Sequence, residues 1–179
     1  MVVDDEARLV AQARLGSREA ASALFRRHWP TVWQVAYAVL GSRAAADDAA
    51  QEAMISAFAA LESFDEKRPL GPWLKRIAFN RAVDELRRRR ALTDAGGHQA
   101  DESLRVADDA PELTAGGPIA AAVGRLSPER RTIIVLHYWL DCTREQIAEI
   151  LNLPTGTVAS RLGRALNDLR SLLEENHVH

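Results

Sequence analysis

The chain has 179 residues, with 23 Lys and Arg against 25 Asp and Glu and a formal net charge of −2, which fits one or two small domains and does not by itself mark a nucleic-acid binder. A single cysteine, Cys142, excludes an intrachain disulfide framework. The acidic N-terminus lacks the layout of a signal peptide, and no apolar run approaches the roughly 20 residues of a membrane span, so we expect no membrane insertion.

Charge is unevenly distributed along the chain. Residues 1–90 hold 15 basic and 12 acidic side chains, whereas residues 91–117 hold one basic and six acidic. Residues 118–179 are balanced, with seven of each. In the net charge of the whole chain, the acidic middle segment therefore offsets the excess of basic residues in the first half.

The first long apolar pattern has a helical period. It predicts a helix with Ser17 as N-cap and Gly41 as the stop signal. Pro30 lies inside this pattern and is expected to kink or interrupt the helix, because proline lacks the backbone N–H. A second helix is predicted from about Ser42 to Leu61, with an apolar stripe along one side.

A third helix is predicted to start at Gly71-Pro72, where a first-turn proline costs no hydrogen bond, and to end in the run Arg87 to Arg90. Its apolar residues Trp73, Leu74 and Ile77 are assigned to the core rather than to stacking on bases, because such stripes usually pack.

Residues 92–117 carry glycines, a proline and most of the local acid without sustained periodicity, which predicts a flexible acidic linker. It separates a first module, residues 1–91, from a second module, residues 118–179. In the second module Ser127-Pro128 predicts a helix start, and Thr143 with Gln146 predicts a capping box. We find no strand-like alternation, so the predicted fold is all-α, with two small helical domains.

Residues 144–162 match two helices joined by a tight turn. Asn152 tolerates the left-handed conformation that the turn needs, and Pro154 can begin the second helix. This is the spacing of a helix-turn-helix, whose second helix enters the major groove. The alternative from spacing alone is a helical hairpin with a solvated face. The side chains expected to fill the shared core are Ile147, Leu151, Leu153 and Val158, with the small Ala148 at the crossing.

Two sets of motifs resemble bacterial sigma factors, especially the extracytoplasmic-function group. IAEILNLPTGTVASRLGRAL, with LSPERRTIIVLHYWLDCTREQIAEIL before it, is similar to region 4. ADDAAQEAMISAFAALESF resembles region 2.2, and GPWLKRIAFNRAVDELRRRR resembles regions 2.3 and 2.4. The resemblance covers about residues 18–90 and 118–173, in the family's order. The chain is too short for the extra regions of the housekeeping sigma factors, as expected for the short group.

The resemblance implies a protein that joins core RNA polymerase and directs it to promoters. Region 2 would bind the β′ clamp helices through Asp48, Gln51 and Glu52 and would open the minus-ten element. Region 4 would read the minus-thirty-five element and pack on the β flap. Capping of the second helix by Asp47 and Asp48 is compatible with this role.

The resemblance makes the third helix the reader of the minus-ten element. Asn80 stands where relatives contact an unstacked base, and an amide suits a base's hydrogen-bonding edge. Phe64 and the loop 65–71 would flank that pocket, and arginines would neutralise phosphates. For the arginine run alone, a solvated helix end favoured by the helix dipole is an equally good explanation. The predicted minus-ten residues are Phe64, Arg76, Phe79, Asn80, Arg81, Arg87 and Arg88.

The helix-turn-helix departs from its relatives at two positions. Many relatives carry Lys or Arg where Ala159 stands, and a larger residue where Gly163 stands. Both departures shorten the reach toward DNA, so we expect a thinner contact than usual. The predicted minus-thirty-five residues are Thr155, Thr157, Ala159, Ser160, Arg161, Gly163 and Arg164.

Other classes of function have less support. No phosphate-binding glycine loop or partnered nucleophile is present, so we expect no enzyme activity and no cofactor. His137 and Cys142 are too few ligands for a zinc site, and a packed cysteine with a surface histidine explains them better.

The main alternative is a stand-alone helix-turn-helix regulator with an N-terminal helical sensing or dimerisation domain. The resemblance further implies a cytoplasmic location and an anti-sigma factor that covers regions 2 and 4. The acidic linker would either mimic nucleic acid near the polymerase cleft or serve as a plain tether.

Overall fold

The computed structural model describes residues 2–96 and 118–175, and this part of the chain forms helices and no strand, which confirms the predicted all-α class. A 3₁₀ turn, Leu61–Ser63, follows α3, and a π-helical turn, Val135–Trp139, continues α6. The predicted linker lies largely outside the described residues. The helices are α1 (Val2–Arg14), α2 (Arg18–Leu40), α3 (Arg43–Ala59), α4 (Leu70–Gly96), α5 (Pro118–Arg125), α6 (Pro128–Ile134), α7 (Arg144–Leu151) and α8 (Thr155–Glu175).

The predicted start and end of α2 are confirmed. The hydroxyl of Ser17 accepts a hydrogen bond from the N–H of Ala20 at 3.2 Å, as an N-cap does. Gly41 ends α2 with φ 68°, a left-handed conformation that glycine adopts without a steric penalty. The expected interruption at Pro30 is absent, because α2 continues through it as one helix.

Two helical segments exceed the prediction. The periodicity that starts at Ser17 does not predict α1, whose Val10 is nevertheless buried against the core. α4 continues six residues beyond Arg90 to Gly96. Ala91 and Leu92 are strong helix formers, and the first glycine after them marks the end. The helix therefore extends into the segment that was predicted as linker.

Small side chains bring α3 close to its neighbours α2 and α4. The indole N–H of Trp33 on α2 donates to the Asp47 carboxylate at 2.6 Å and ties the two helices together. This bond gives Asp47 a role in packing. The expected capping of this helix by Asp47 and Asp48 is wrong, because Ser42 is the N-cap of α3 and its first turn holds no acidic residue. The residues that α3 buries are Ala45, Ala46, Ala49, Ala50, Ala53, Met54 and Ala57.

His28 on α2 contacts Glu6 on α1, with Nε2 3.0 Å from the carboxylate. Burial lowers the pKa of His28 more than Glu6 raises it, and Arg27 and Lys75 lower it further. The neutral imidazole is therefore the form that the fold favours, and stability is lost as the pH falls below the ordinary value of about 6.5.

We expect His28→Gln to flatten the dependence of stability on pH below about 6.5, because glutamine keeps a hydrogen-bonding group and does not titrate. The measurement is the urea midpoint of both proteins across that pH range. Parallel curves for wild type and variant would contradict the assignment.

The predicted start signals of the second module have mixed outcomes. Thr143 and Gln146 form the predicted capping box, each side chain bonding the other's backbone N–H. Ser127 precedes α6 as predicted but makes no side-chain capping bond. Ile147 and Val158 are fully buried in the shared core of α7 and α8.

The two modules pack against each other and share one continuous apolar core, which the sequence did not predict. Arg131 on α6 is buried and donates from Nε to the Ala38 carbonyl of α2 at 2.7 Å. A second donor, Nη1, contacts the Gly124 carbonyl at 3.0 Å. Burial lowers the pKa of Arg131, and the nearby Tyr37 partly opposes this shift. The contact between the modules is thus made to a main-chain carbonyl near the C-terminal end of α2, and Gly124 belongs to α5 of the second module itself.

Candidate nucleic-acid interface

The turn between α7 and α8 has the geometry that the helix-turn-helix prediction requires. Asn152 adopts the left-handed conformation, with φ 53° and ψ 52°. The N–H of Leu153 then donates to the Ala148 carbonyl at 2.9 Å, and Pro154 accepts from the N–H of Thr157 at the same distance. Pro154 therefore lies one residue ahead of α8 rather than at its first position.

The predicted minus-thirty-five residues lie together near the N-terminal end of α8. The hydroxyl of Ser160 donates to the Thr157 carbonyl at 3.0 Å, and Arg164 Nε donates to the Ser160 carbonyl at 3.3 Å. These side chains thus donate to carbonyls of their own helix, and they can instead donate to an external acceptor. Exposed among them are Thr155, Ala159, Ser160, Gly163 and Arg164, whereas Thr157 and Arg161 are half-buried.

Glu129 on α6 lies beside α8, the second helix of the helix-turn-helix, and is not among the residues predicted from sequence. Its carboxylate lies 3.7 Å from Arg161, and the Glu129 side chain is 79% exposed. Such a solvated pair contributes little, so a phosphate can replace the carboxylate at small cost. Gly163 is not required by packing, because a Cβ added there would meet nothing within 4 Å.

The predicted minus-ten residues of α4 and of the loop before it fall into an exposed polar group and a more buried aromatic group. Arg76, Asn80 and Arg81 are exposed, whereas Phe79 is half-buried against the core. Phe64 is only 7% exposed, and its ring packs on Trp73 with centroids 4.9 Å apart. In this arrangement the polar residues are presented to solvent and Phe64 is not.

Acidic neighbours partly neutralise the arginine run. Arg87 pairs with Asp84 at 3.7 Å, and Arg88 and Arg89 both bond to Glu85. Burial raises the pKa of Glu85, but the hydrogen bonds from Arg89 and Arg88 lower it more, and the net shift is downward. This end of α4 is therefore less positive than its sequence suggests, although Arg87 and Arg88 remain exposed.

A cleft of about 240 Å³ opens between the loop after α3 and the start of α4. Ser63 and Asp65 stand on the loop side, and Trp73 and Arg76 on the helix side. The predicted pocket for an unstacked base, flanked by Phe64 and the loop 65–71, falls in this region. The cleft combines an aromatic ring with carboxylate and guanidinium groups, and hydrogen-bonding groups beside a stacking surface suit an unstacked base.

The second module lies against the same face of α4. Lys75 on α4 donates from Nζ to the Leu140 carbonyl at 2.9 Å, and Arg68 in the loop pairs with Glu149 on α7. Gln146 and Glu149 line one side of the cleft beside Arg76. A DNA strand lying along this face of α4 would collide with α7, whereas the exposed face of α8 is accessible to DNA.

The predicted polymerase contact lies on one exposed side of α3. Asp48, Gln51 and Glu52 are all exposed. Ile55, one turn further, is 69% exposed and was not singled out from sequence. Its position could have been predicted from its spacing from Gln51 and Glu52, since residues three or four apart share a helix face. The surface therefore combines carboxylates with an apolar side chain.

Cys142 is buried, with its sulfur 3.2 Å from Lys75 Nζ, and Nδ1 of His137 lies 3.1 Å from the Cys142 carbonyl oxygen. Within residues 2–96 and 118–175 no cluster of three or more His, Cys, Asp or Glu side chains is suited to a metal ion.

In the same part of the chain, no helix is long and apolar enough to cross a membrane.

Comparison with known families matches both modules. The family model for Sigma-70 region 2 matches residues 24–92, and that for Sigma-70 region 4 matches residues 117–169. The ECF RNA polymerase sigma factor SigW of Bacillus subtilis is 31% identical over 93% of this chain and 95% of its own length. The RNA polymerase sigma factor CnrH of Cupriavidus metallidurans is 32% identical over 93% of both chains.

Solved structures of sigma factors have a similar fold. CnrH in complex with the cytosolic domain of CnrY superposes with a TM-score of 0.69 at 30% identity, over 96% of this chain and 98% of that one. RpoE from Bartonella quintana, in complex with the anti-sigma factor NepR, gives a TM-score of 0.72 at 26% identity, over 86% and 96%. The chain belongs to the extracytoplasmic-function group of the sigma-70 family.

Proposed function

We propose that this chain binds core RNA polymerase, directs it to specific promoters and helps to melt their minus-ten element. The observation that carries the proposal is the presence of both sigma regions in one chain, in the family's order, with an exposed polar face on the second helix of the helix-turn-helix. Residues 1–91 act as region 2 and residues 118–179 as region 4, with an acidic linker between them.

The second module reads the minus-thirty-five element through α8. Thr157 and Ser160 suit short contacts to phosphates or base edges, and Arg161 and Arg164 suit phosphate or guanine. Ala159 and Gly163 leave room beside the DNA without supplying a contact of their own. The proposed interface is therefore small and depends strongly on two guanidinium groups.

The first module captures the minus-ten strand at the cleft and along α4. Arg76, Asn80 and Arg81 are exposed there and supply one amide and two cations. Because α7 lies against this face, recognition requires α7 to withdraw from α4. Arg87 and Arg88 contribute charge at the far end of α4, reduced by their acidic neighbours.

Two protein partners follow from the family. Asp48, Gln51, Glu52 and Ile55 are proposed to contact the β′ clamp helices, because acid with an exposed apolar group suits a basic helical surface. The second module is proposed to pack on the β flap. CnrH and RpoE were solved with CnrY and with the anti-sigma factor NepR, which supports an anti-sigma partner for this chain in the cytoplasm.

The test is run-off transcription with the full chain, core RNA polymerase and fragmented genomic DNA of the source bacterium. We expect discrete start sites when chain and core are both present, and none with either alone. Specific binding of duplex DNA by the chain without polymerase, with no start sites on adding core, would instead favour the stand-alone regulator.

A further inference from the structure

Arg14, the last residue of α1, reaches across to the loop that follows α3. Its Nε donates to the Leu61 carbonyl at 2.9 Å, and its Nη2 donates to the Phe64 carbonyl. Its Nη1 pairs with the Glu66 carboxylate. One guanidinium thus holds three acceptors within six residues of the loop, and its side chain is only 23% exposed.

These contacts come from outside the part of the chain that carries the region 2 signature. The family model starts at residue 24, ten residues after Arg14. Within the loop, Asp65 caps the next turn by accepting from the N–H of Lys67 at 3.0 Å. That bond shapes the tip of the loop but does not connect it to a helix, so α1 supplies an external brace.

The braced segment forms one wall of the cleft at the start of α4. By holding the Phe64 carbonyl, Arg14 fixes the backbone on both sides of Phe64, whose ring packs on Trp73. Ser63 and Asp65, the immediate neighbours of Phe64, line the cleft. A shift of this wall would change the shape of the cleft without removing any group that lines it.

We propose that Arg14 is a positioning residue for minus-ten recognition: it holds the loop wall in the shape that admits the preferred base. The inference rests on the proposed function of the cleft. Arginine suits this role because its planar fork presents several fixed donors, whereas a lysine ammonium is a point charge on a flexible stem. Lysine at this position would therefore brace the loop only in part.

The first arm of the test measures the loop in the free full-length protein. Hydrogen exchange is compared for wild type, Arg14→Ala, Arg14→Lys and Arg8→Ala. Arg8 is the matched control because it lies on α1 in an exposed pair with Asp5 at 3.0 Å. We expect faster exchange of the loop amides in Arg14→Ala, a smaller change in Arg14→Lys and none in Arg8→Ala. Unchanged loop exchange in Arg14→Ala would overturn the brace.

The second arm measures base discrimination by the same proteins with core polymerase, on promoters carrying each base at every minus-ten position. We expect Arg14→Ala to lose about fivefold or more in preference for the best base, with partial rescue by Arg14→Lys. Affinity for core should stay at the wild-type value.

A uniform loss of activity with discrimination intact would reduce Arg14 to a structural residue and overturn the inference. Failure of the proposed function is a separate outcome, because wild type itself would then show no promoter-specific start sites. That result removes the minus-ten role of Arg14, whatever the exchange data show.

Discussion

Replacing Arg161 and Arg164 together by alanine is expected to lower promoter-directed initiation by about 100-fold. Each guanidinium lost from a base or phosphate contact costs about 1–3 kcal/mol, and the two positions lie on adjoining turns of one small interface. In the wild type, Arg161 gives up its ion pair with Glu129 when it binds DNA, and the variant avoids that cost. The saving is small, because the pair is solvated. The measurement is the initiation rate of the reconstituted holoenzyme as a function of salt.

Arg170→Ala is the matched control for this pair, since Arg170 is an exposed arginine near the other end of α8. If the double variant behaves like Arg170→Ala, α8 does not read the promoter through these side chains. Ala159→Lys tests the same interface in the opposite direction. It restores the cation that many relatives carry, and we expect tighter binding with a salt slope steeper by about one.

Gly41→Ala is expected to destabilise the fold by about 2–3 kcal/mol. The left-handed φ of 68° costs a non-glycine residue about 1–2 kcal/mol. An added Cβ would also lie 2.8 Å from Nη2 of Arg131. That guanidinium cannot easily move, because it is buried and bonded to the Ala38 carbonyl. Urea denaturation gives the loss directly.

The control for backbone strain alone is Gly16→Ala, because Gly16 has φ 87° and open space around the position of a Cβ. We expect it to cost less than Gly41→Ala by the amount of the steric clash. A double-mutant cycle with Arg131→Met separates the two contributions. If the Gly41 and Arg131 substitutions proved strictly additive, the proposed clash between them would be refuted.

Helix ends were predictable wherever one residue's own chemistry decides them. Ser17, Thr143 and Asn152 each act through a bond or a dihedral angle within a few residues, and each was placed correctly. Pro30 does not interrupt α2, because its local cost is outweighed by the burial of α2 residues before and after it. The end of α4 at Gly96 lies in a segment where composition suggested a linker, although its residues tolerate a helix.

The exposure of the candidate site residues was predictable where they lie on a helix. Asn80, which was placed by the family resemblance, and Arg164, which was placed by helical spacing, both occupy exposed helix positions. Phe64 could not be placed, because a loop has no period and its ring finds Trp73 through tertiary packing. The contact of Arg131 with Ala38 could not be predicted from sequence either, since its acceptor is a backbone carbonyl that every residue type carries.

Under the proposed function, the packing of α7 on α4 makes minus-ten recognition a thermodynamic competition. If minus-ten DNA and α7 use one face of α4, the free energy that holds the modules together is subtracted from the apparent affinity for DNA. Each 1.4 kcal/mol of packing, to which Lys75 and Arg68 contribute, weakens that affinity by about tenfold. A substitution that only loosens the modules would then register in a binding assay as improved promoter recognition.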